Sequence, residues 1–213
     1  AALIEPLIRT HPEFARMVPF GLPDIRIICL GDVPLMAMTR LPTVESEGRA
    51  NLHQGAVGAA IDFRSGTIFR SVLAQQEVSA HPSTGAALIG AQLPFWPETV
   101  AAARRCSAAL GLGYVGVDLV IDATRGVQVL ECNAYPGLEI QNVNAAGLAA
   151  RIALVQRQQR ALARARMAPE GRVRRGGLGM NPLEGLATVL RGNGRMAAGR
   201  VAEAFAVPAP LAA

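Results

Sequence analysis

Two runs of β-branched and apolar residues, 115–121 and 127–133, flank a turn-rich segment at 122–126. Runs of this kind on either side of a segment that contains Asp and Gly predict a β-hairpin. The second run leads into Pro136-Gly137, a pair that is suited to a tight loop. The hairpin is therefore expected to end in a loop that closes over its polar residues.

The register of this hairpin decides which polar side chains meet. If Asp122 pairs with Val127 across a four-residue loop, Asp118 lies directly opposite Glu131. Side chains opposite each other on one face are about 5 Å apart between their Cβ atoms. Asn133 is two residues beyond Glu131 and shares its face. Two carboxylates and a carboxamide are thus expected in one cluster on otherwise apolar strands.

This cluster has two possible interpretations. Neighbouring carboxylates repel each other, and burying them without compensation is costly. Three oxygen ligands without Cys or His favour Mg²⁺ or Mn²⁺ over Zn²⁺, and Mg²⁺ held by few protein groups takes further ligands from water and substrate phosphates. Asp118, Glu131 and Asn133 therefore form either a metal site for nucleotide phosphates or the hydrated polar face of a hairpin.

Charge is distributed unevenly along the 213 residues, of which 51% are hydrophobic. Residues 151–213 contain 11 arginines and three glutamates, a net charge of +8, whereas residues 1–150 carry −3. We expect residues 1–166 to form one folded domain and residues 167–213 to form a disordered basic tail rich in Gly, Ala and Arg. Phe205 is the only aromatic residue of that tail, which makes nucleic-acid binding the least favoured function.

Hydropathy and cysteine content indicate a protein of a reducing compartment. No apolar run reaches the roughly 20 residues of a membrane span, and no signal peptide opens the chain. Cys29, Cys106 and Cys132 lack CxxC spacing and are interpreted as small buried residues. The expected location is the cytoplasm.

Other segments predict further elements of an antiparallel sheet with helices. Residues 24–40 form an expected hairpin around the two-residue turn Gly31-Asp32, and residues 58–73 form another. A helix is expected over 97–111, with Pro at its start and Gly at its end. Asn144 is expected to cap a helix that runs to about residue 165.

The segment Glu131–Glu139, ECNAYPGLE, resembles the metal-binding end of ATP-grasp carboxylate–amine ligases, where the pattern is Glu-x-Asn-x-x-Pro-Gly. Residues 116–118, GVD, are similar to the preceding strand of that family, whose Asp is the first metal ligand. The nearest likeness is to ribosomal-protein glutamate ligases and to sugar-transfer-associated ATP-grasp proteins. The resemblance spans about residues 3–155 and implies an α+β fold, namely the C-terminal ATP-grasp subdomain with its antiparallel sheet and flanking helices.

The resemblance also implies contacts with the nucleoside of ATP. Glu5 and Leu7 occupy the position of the family's interdomain linker, where backbone groups bind adenine. Asp24 opens the segment DIR, similar to a strand of the ligases whose Asp lies near the ribose. On its own, Asp24 is equally well explained as an acid at the start of a strand.

A polar loop at 49–55, RANLHQG, offers groups for phosphate. A guanidinium binds phosphate oxygens in a two-point geometry, although most loop arginines are simply hydrated. The loop is similar to the family's Arg-Ser-Asn-x-His-x-Gly loop. That similarity implies that Arg49 stabilises the transferring phosphoryl group and that Asn51 helps to position it, while His53 either anchors the loop or contacts the substrate.

The long segment 80–97 includes HPSTG at 81–85, which resembles the sugar-transfer-associated branch of the family. Loops of this length in compact domains often bind ligands. It is therefore expected either to contact the acceptor substrate or to be a packed loop anchored by Trp96.

The implied activity is ATP- and Mg²⁺-dependent ligation of a small carboxylate to an amine through an acylphosphate. The implied cofactors are ATP and Mg²⁺ or Mn²⁺. Family members carry a further half with phosphate-binding lysines before the linker, and this chain contains no lysine. We therefore expect the missing N-terminal half to be supplied as part of a longer enzyme. The alternative is a non-catalytic ATP-grasp module that binds nucleotide, metal or a partner.

Overall fold

The structure, a computed structural model, describes residues 5–167 and is built around a seven-stranded antiparallel sheet. The strands are β1 (Asp24–Leu30), β2 (Val33–Leu41), β3 (Val57–Ile61), β4 (Ile68–Leu73), β5 (Gln76–Glu77), β6 (Tyr114–Asp122) and β7 (Gly126–Asn133). They lie side by side in the order β5-β4-β3-β2-β1-β6-β7, so that β7 and β5 form the two edges. With the helices, this sheet confirms the expected α+β class.

Within residues 5–167, four α-helices accompany the strands: α1 (Pro12–Met17), α2 (Trp96–Leu110), α3 (Glu139–Asn144) and α4 (Leu148–Met167). Helix α2 confirms the prediction for 97–111 and ends at Gly111, whose φ of 63° is readily adopted by glycine. The chain divides into two compact units after Leu148, and nearly all of α4 belongs to the second. No helix among residues 5–167 combines the length and the apolar character that crossing a bilayer requires.

The three expected hairpins are all present. Strands β1 and β2 meet at the two-residue turn Gly31-Asp32, where Leu30 pairs with Val33. Gly31 has a φ of 58°, which a glycine adopts without a steric penalty. Strands β3 and β4 form the second hairpin, and β6 and β7 form the third.

Successive side chains of each strand point to opposite sides, which gives the sheet two chemically different faces. In β1 and β6 the core-facing residues are Ile25, Ile27, Cys29, Val115, Val117, Leu119 and Ile121. Helix α2 packs against this face through the fully buried Ala103. Because successive side chains point to opposite faces, the residues between them, such as Arg26 and Asp118, lie on the other face.

Helix α3 covers part of that other face. It packs against β2, β3 and β4, and a Cβ placed on Gly58 would lie 2.6 Å from a methyl carbon of Val143. The fully buried Ile140 also belongs to this helix. The sheet therefore has a hydrophobic core on one side, and on the other a helix that leaves part of β1 and β6 to polar residues.

Two local predictions are wrong. Asn144 ends α3 instead of capping the next helix, and its side-chain amide donates to the carbonyls of Ala37 at 3.0 Å and Ile140 at 2.9 Å. The cysteines are not uniformly buried, since Cys132 is exposed. Both errors arise because tertiary contacts, which the local sequence does not show, decide where each side chain lies. The predicted basic tail falls almost entirely on residues 168–213, outside the described residues.

Asp122, at the end of β6, joins the N-terminal segment to the hairpin. Its buried carboxylate accepts hydrogen bonds from the backbone N–H of Arg9 at 2.9 Å, Thr124 at 3.0 Å and Arg125 at 2.9 Å. The Arg125 guanidinium contacts it at 3.1 Å. The Arg125 side chain, followed by these backbone donors, holds the pKa of Asp122 far below its usual range.

Asp122→Asn is therefore expected to lower the melting temperature at pH 7. The stabilisation from a lowered pKa is complete above the unfolded-state pKa of about 4 and is lost as the pH falls towards the folded-state value. The difference in melting temperature between wild type and variant should shrink in that acid range. The matched control is Asp62→Asn, because Asp62 lies in the β3–β4 turn and accepts from the Arg64 backbone N–H at 2.9 Å. Equal effects of both substitutions on the acid dependence would contradict this assignment.

Candidate functional site

Asp118 and Glu131 face each other across β6 and β7, as expected, but by a different register. Asp122 pairs with Gly126 rather than with Val127. A register shift follows Asp118 and leaves one extra residue in β7, a β-bulge. The turn is thus one residue shorter than assumed, and the bulge adds one residue to β7. Because the two changes cancel, Glu131 still lies opposite Asp118.

The carboxylate of Asp118 is buried between two arginines. Arg26 binds it at two points, with Nε donating to Oδ1 at 2.7 Å and Nη2 donating to Oδ2 at 2.6 Å. Arg40 Nη2 donates to the same Oδ2 at 2.8 Å. Asp118 is 3% exposed and Arg26 is 9% exposed, so this ion pair is largely screened from water.

Arg40 extends the cluster to Asp24. Its Nε donates to Oδ1 of Asp24 at 2.7 Å and its Nη2 to Oδ2 at 2.5 Å. Burial is the largest influence on the pKa of Asp24 and raises it to about 6 despite Arg40. Burial also opposes ionisation of Asp118, but hydrogen bonds and charges from Arg26 and Arg40 bring its pKa below the ordinary value. Both carboxyl groups are therefore ionised at neutral pH.

Glu131 forms the solvent-facing side of the cluster. Its side chain is 61% exposed, and its Oε1 lies 3.9 Å from Nη2 of Arg26. Counted by formal charges, the three carboxylates of Asp24, Asp118 and Glu131 and the two guanidinium groups give the cluster a net charge of −1. This excess of negative charge lies at the accessible edge of the sheet.

The donor chemistry of this edge fits a hard cation. An ionised carboxylate has about four lone-pair sites, and Asp118 uses three of them for arginine, so that one on Oδ1 is left. Asn133 Oδ1 accepts from the backbone N–H of Tyr135 at 2.8 Å and retains a second lone pair. Among the described residues, no group of three or more His, Cys, Asp and Glu side chains could hold a metal ion. A site here therefore depends on the Asn133 amide besides Asp118 and Glu131.

Pro136 closes one end of the site. It is buried, and a Cβ placed on Gly116 would lie 2.6 Å from the Pro136 Cβ. Gly116 is the same-face neighbour of Asp118 in β6, so the loop after β7 packs beside the charged cluster. A cavity of about 520 Å³ borders this loop, lined by Leu112, Tyr114, Ala134, Tyr135, Pro136 and Leu138. The site thus joins charged and apolar surfaces.

The loop that carries Arg49 and Asn51 is held by buried hydroxyl groups. Thr43 and Ser46 exchange hydrogen bonds, with the Thr43 N–H donating to Ser46 Oγ at 2.9 Å and the Ser46 N–H to Thr43 Oγ1 at 3.0 Å. Arg49 itself is exposed and pairs with Glu47 at 3.3 Å. Backbone contacts thus support the loop, while the Arg49 side chain faces solvent.

Asn51 and His53 lie in the same loop. Asn51 Oδ1 accepts from the His53 N–H at 3.0 Å and caps the short 3-10 helix Leu52–Gln54, and the His53 side chain is exposed. Among the described residues, Arg49 and Asn51 lie outside the hydrogen-bonded Asp118 cluster. The structure therefore gives Asn51 a contact that shapes the loop.

Glu5 and Leu7 lie near the opposite end of β6. Both are exposed, and the Leu7 carbonyl accepts from Arg125 Nη2 at 3.2 Å. Arg125 belongs to the β6–β7 turn, whereas Asp118 is four residues earlier than Asp122, or roughly 13 Å along the strand. The structure thus brings Asp24, Asp118 and Glu131 together and places Glu5 and Leu7 at the far end.

The loop at 80–97 is packed rather than free. His81 is buried, and its Nε2 lies 2.9 Å from the Pro42 carbonyl oxygen. Trp96 is buried as well, and its indole N–H donates to the Phe63 carbonyl at 2.8 Å. These contacts favour the interpretation of this segment as an anchored loop.

Sequence reasoning missed Arg26 and Arg40 as site residues. Each is an arginine within a largely apolar strand, and that is the signal that identifies them. Their partners lie far away in sequence, 92 residues for Arg26–Asp118 and 78 for Arg40–Asp118. Only the order of the strands shows that these groups meet.

Comparison with the profiles of protein families gives a match over most of the chain. No curated protein sequence matches the chain. The profile of a family described as sugar-transfer associated ATP-grasp matches residues 1–157, which is well over half of the chain. Membership of this family indicates ATP-dependent chemistry of the ligase type. The chain belongs to the sugar-transfer-associated ATP-grasp family.

Proposed function

We propose that the chain binds ATP with Mg²⁺ at the Asp118 cluster and activates a small carboxylate as an acylphosphate for attack by an amine. The observation that carries this proposal is the position of Glu131 opposite Asp118, beside the buried Arg26 and the partly buried Arg40 on one sheet face. ATP-grasp membership supports the nucleotide.

The charge of the cluster explains why a nucleotide would bind here together with a metal ion. The cluster carries a net charge of −1, which disfavours a bare polyphosphate. Asp118, Glu131 and Asn133 would hold Mg²⁺, which when bound supplies Lewis-acid charge neutralisation at phosphate oxygens. Arg26 and Arg40 keep the Asp118 carboxylate in one orientation, so that little reorganisation is needed when the ligand arrives.

Arg49 and Asn51 have separate roles in this proposal. Arg49 is exposed on a supported loop, where its guanidinium is available for two-point contact with a phosphoryl group. Asn51 shapes the loop through its contact with the His53 N–H. Arg49 would thus bind the phosphoryl group, and Asn51 would position the loop that carries Arg49.

We also propose the contacts with the nucleoside that the family resemblance implies, except for the contact of Asp24 with the ribose. Glu5 and Leu7 are accessible, as residues that offer backbone groups to adenine would need to be. Both carboxylate oxygens of Asp24 are bound by Arg40. We therefore assign Asp24 to the positioning of Arg40 and not to direct contact with the ribose.

Titration calorimetry with ATP and Mg²⁺ tests the proposal. The wild-type chain should bind, and Glu131→Ala should weaken binding by about 10–100-fold, because second-shell changes alone cost that much at metal sites. Glu98→Ala is the control, since it removes the same charge from the exposed first turn of α2. Equal affinity for Glu131→Ala and Glu98→Ala would exclude Glu131 from the site.

A non-catalytic nucleotide-binding module is the second candidate. It is favoured by the compensation of Asp118 by Arg26 and Arg40, which stabilises the carboxylate without a metal ion. ADP release in the presence of a panel of carboxylates and amines separates the two functions. Binding without any turnover across that panel would favour the module.

A further inference from the structure

The cavity of about 520 Å³ beside Pro136 lies on the same face of the sheet as the Asp118 cluster. Tyr114, which lines it, precedes Gly116 and Asp118 in β6 at steps of two residues, and residues at that spacing share a face. Gly116 pairs with Asn133. Two residues of a strand cover about 7 Å, so Tyr114 lies one such step beyond the level of Asn133. One small molecule can therefore extend from the cluster into the cavity.

The wall of this cavity is apolar and accessible. Six of the described residues line it, namely two leucines, two tyrosines, an alanine and a proline, and none of these side chains is a carboxylate, a guanidinium or an amine. Leu112 is 49% exposed and Leu138 is 55% exposed, while Tyr135 is 92% exposed. Exposed apolar residues that gather around one cavity are typical of a binding surface. Such a wall suits an aromatic or alkyl group and disfavours a charged one, which would lose its hydration there.

Arg26 brings positive charge to the loop that borders the cavity. Its Nε and Nη2 donate to Asp118, and its Nη1 lies 3.9 Å from the point that a Cβ on Gly137 would occupy. Gly137 stands between Pro136 and Leu138, both of which line the cavity. The Nη1 atom carries two N–H donors of a permanently charged group, and such donors bind carboxylates and repel ammonium groups. The loop thus places a donor for a carboxylate beside an apolar cavity.

We propose that this cavity holds the apolar group of a carboxylic acid, and that the ligand is an aryl- or alkyl-substituted acid rather than an acidic amino acid. Its role as the carboxylate substrate rests on the proposed function. The carboxylate of this ligand lies near Nη1 of Arg26, and its ring or chain extends past Pro136 towards Tyr114. The Tyr135 N–H holds Oδ1 of Asn133 at 2.8 Å, so the loop that lines the cavity also orients a proposed metal ligand.

Titration calorimetry of the full chain with 4-phenylbutanoate tests this assignment. This acid should bind about 10-fold or more tightly than butanoate, because its ring leaves water for the apolar wall. Glutamate should bind no better than butanoate, since its further charges would have to enter that wall. The probe 4-phenylbutylamine keeps the ring but reverses the charge, and it should bind more weakly than the acid because it meets Arg26.

Tyr135→Ala should weaken the binding of 4-phenylbutanoate by about 10-fold and leave that of butanoate unchanged. The substitution spares the fold because the Tyr135 side chain is 92% exposed, and its contact with Asn133 uses the backbone N–H. Phe69→Ala is the matched control. Phe69 is an exposed aromatic residue of β4, which lies four strands away from β6, and this variant should bind like the wild type.

Binding of Mg²⁺-ATP to the same preparation is measured separately, so that the two proposals can fail independently. If Mg²⁺-ATP binds while 4-phenylbutanoate binds no better than butanoate, only the present inference is overturned. If 4-phenylbutanoate binds as expected while Mg²⁺-ATP does not, the ligand site stands and the proposed function fails.

Two further results would contradict the ligand site itself. Equal affinity of Tyr135→Ala and wild type for 4-phenylbutanoate would place the ring outside this cavity. A dimer that Tyr135→Ala dissociates, seen by sedimentation velocity, would show that a second copy of the chain covers the cavity instead of a small acid.

Discussion

Replacing Asp118 by alanine is expected to lower the free energy of unfolding by about 3–5 kcal/mol, the usual cost of removing one partner from a buried ion pair. The Asp118 carboxylate accepts three hydrogen bonds from Arg26 and Arg40. Its removal leaves two largely buried guanidinium groups near each other without the negative charge between them. Urea denaturation at pH 7, followed by circular dichroism, measures the loss.

The matched control is Asp32→Ala, which breaks an ion pair of the same type at the surface. Asp32 contacts Arg104 at 3.2 Å, and its side chain is 58% exposed. Exposed pairs contribute about 0–1 kcal/mol, so this variant should stay close to wild type. If both variants lost the same stability, the Asp118 cluster would have to be as well hydrated as the surface pair.

Gly116→Ala is expected to lower the free energy of unfolding by about 1–3 kcal/mol, the range for inserting a methyl group into packed structure. The new Cβ would lie 2.6 Å from Pro136 Cβ and 3.4 Å from Ile28 Cδ1. Relief of this overlap requires Pro136 to move away from β6. On the proposed function, Mg²⁺-ATP binding should weaken as well, although no proposed ligand is changed. Thermal unfolding and titration calorimetry measure the two effects.

Gly147→Ala controls for the loss of a glycine as such. A Cβ at Gly147 would meet no atom closer than Gln141 Oε1 at 3.9 Å. Without a clash, the change from Gly to Ala at a compatible backbone position stabilises by about 0.4–1 kcal/mol. Unchanged nucleotide binding in Gly116→Ala, together with lost stability, would show that the Pro136 loop supports the fold but does not shape the site.

One face of the sheet forms the hydrophobic core, and the other face carries the charged cluster. Apolar residues of β1 and β6 pack under α2, and their alternating neighbours Arg26 and Asp118 form the charged cluster. Each strand thus contributes alternate side chains to the core and to the charged cluster. A shift of either strand by one residue would exchange the two faces, and the hydrophobic core therefore also sets the geometry of the charged cluster.

Some features were predictable from the sequence alone because they depend on neighbouring residues. The turn at Gly31-Asp32 and the alternation in 115–121 and 127–133 predict hairpins, and the structure confirms them. The pairing of Asp118 with Glu131 was also predicted, but it holds only because a bulge compensates for a turn that is one residue shorter than assumed. Bulges are hard to infer locally, since one extra residue leaves the strand pattern almost unchanged.

The sequence by itself determined the hairpins, the position of α2 and the resemblance to a family, because local periodicity, turn residues and short motifs specify all three. Only the tertiary structure decided that Arg26 and Arg40 compensate Asp118 and that Cys132 is exposed. The positions of these groups depend on the order of the strands and on the packing of α2 against the sheet. The ion pairs join groups that are distant in the chain, and such pairings follow from the packing of the whole sheet rather than from any local pattern.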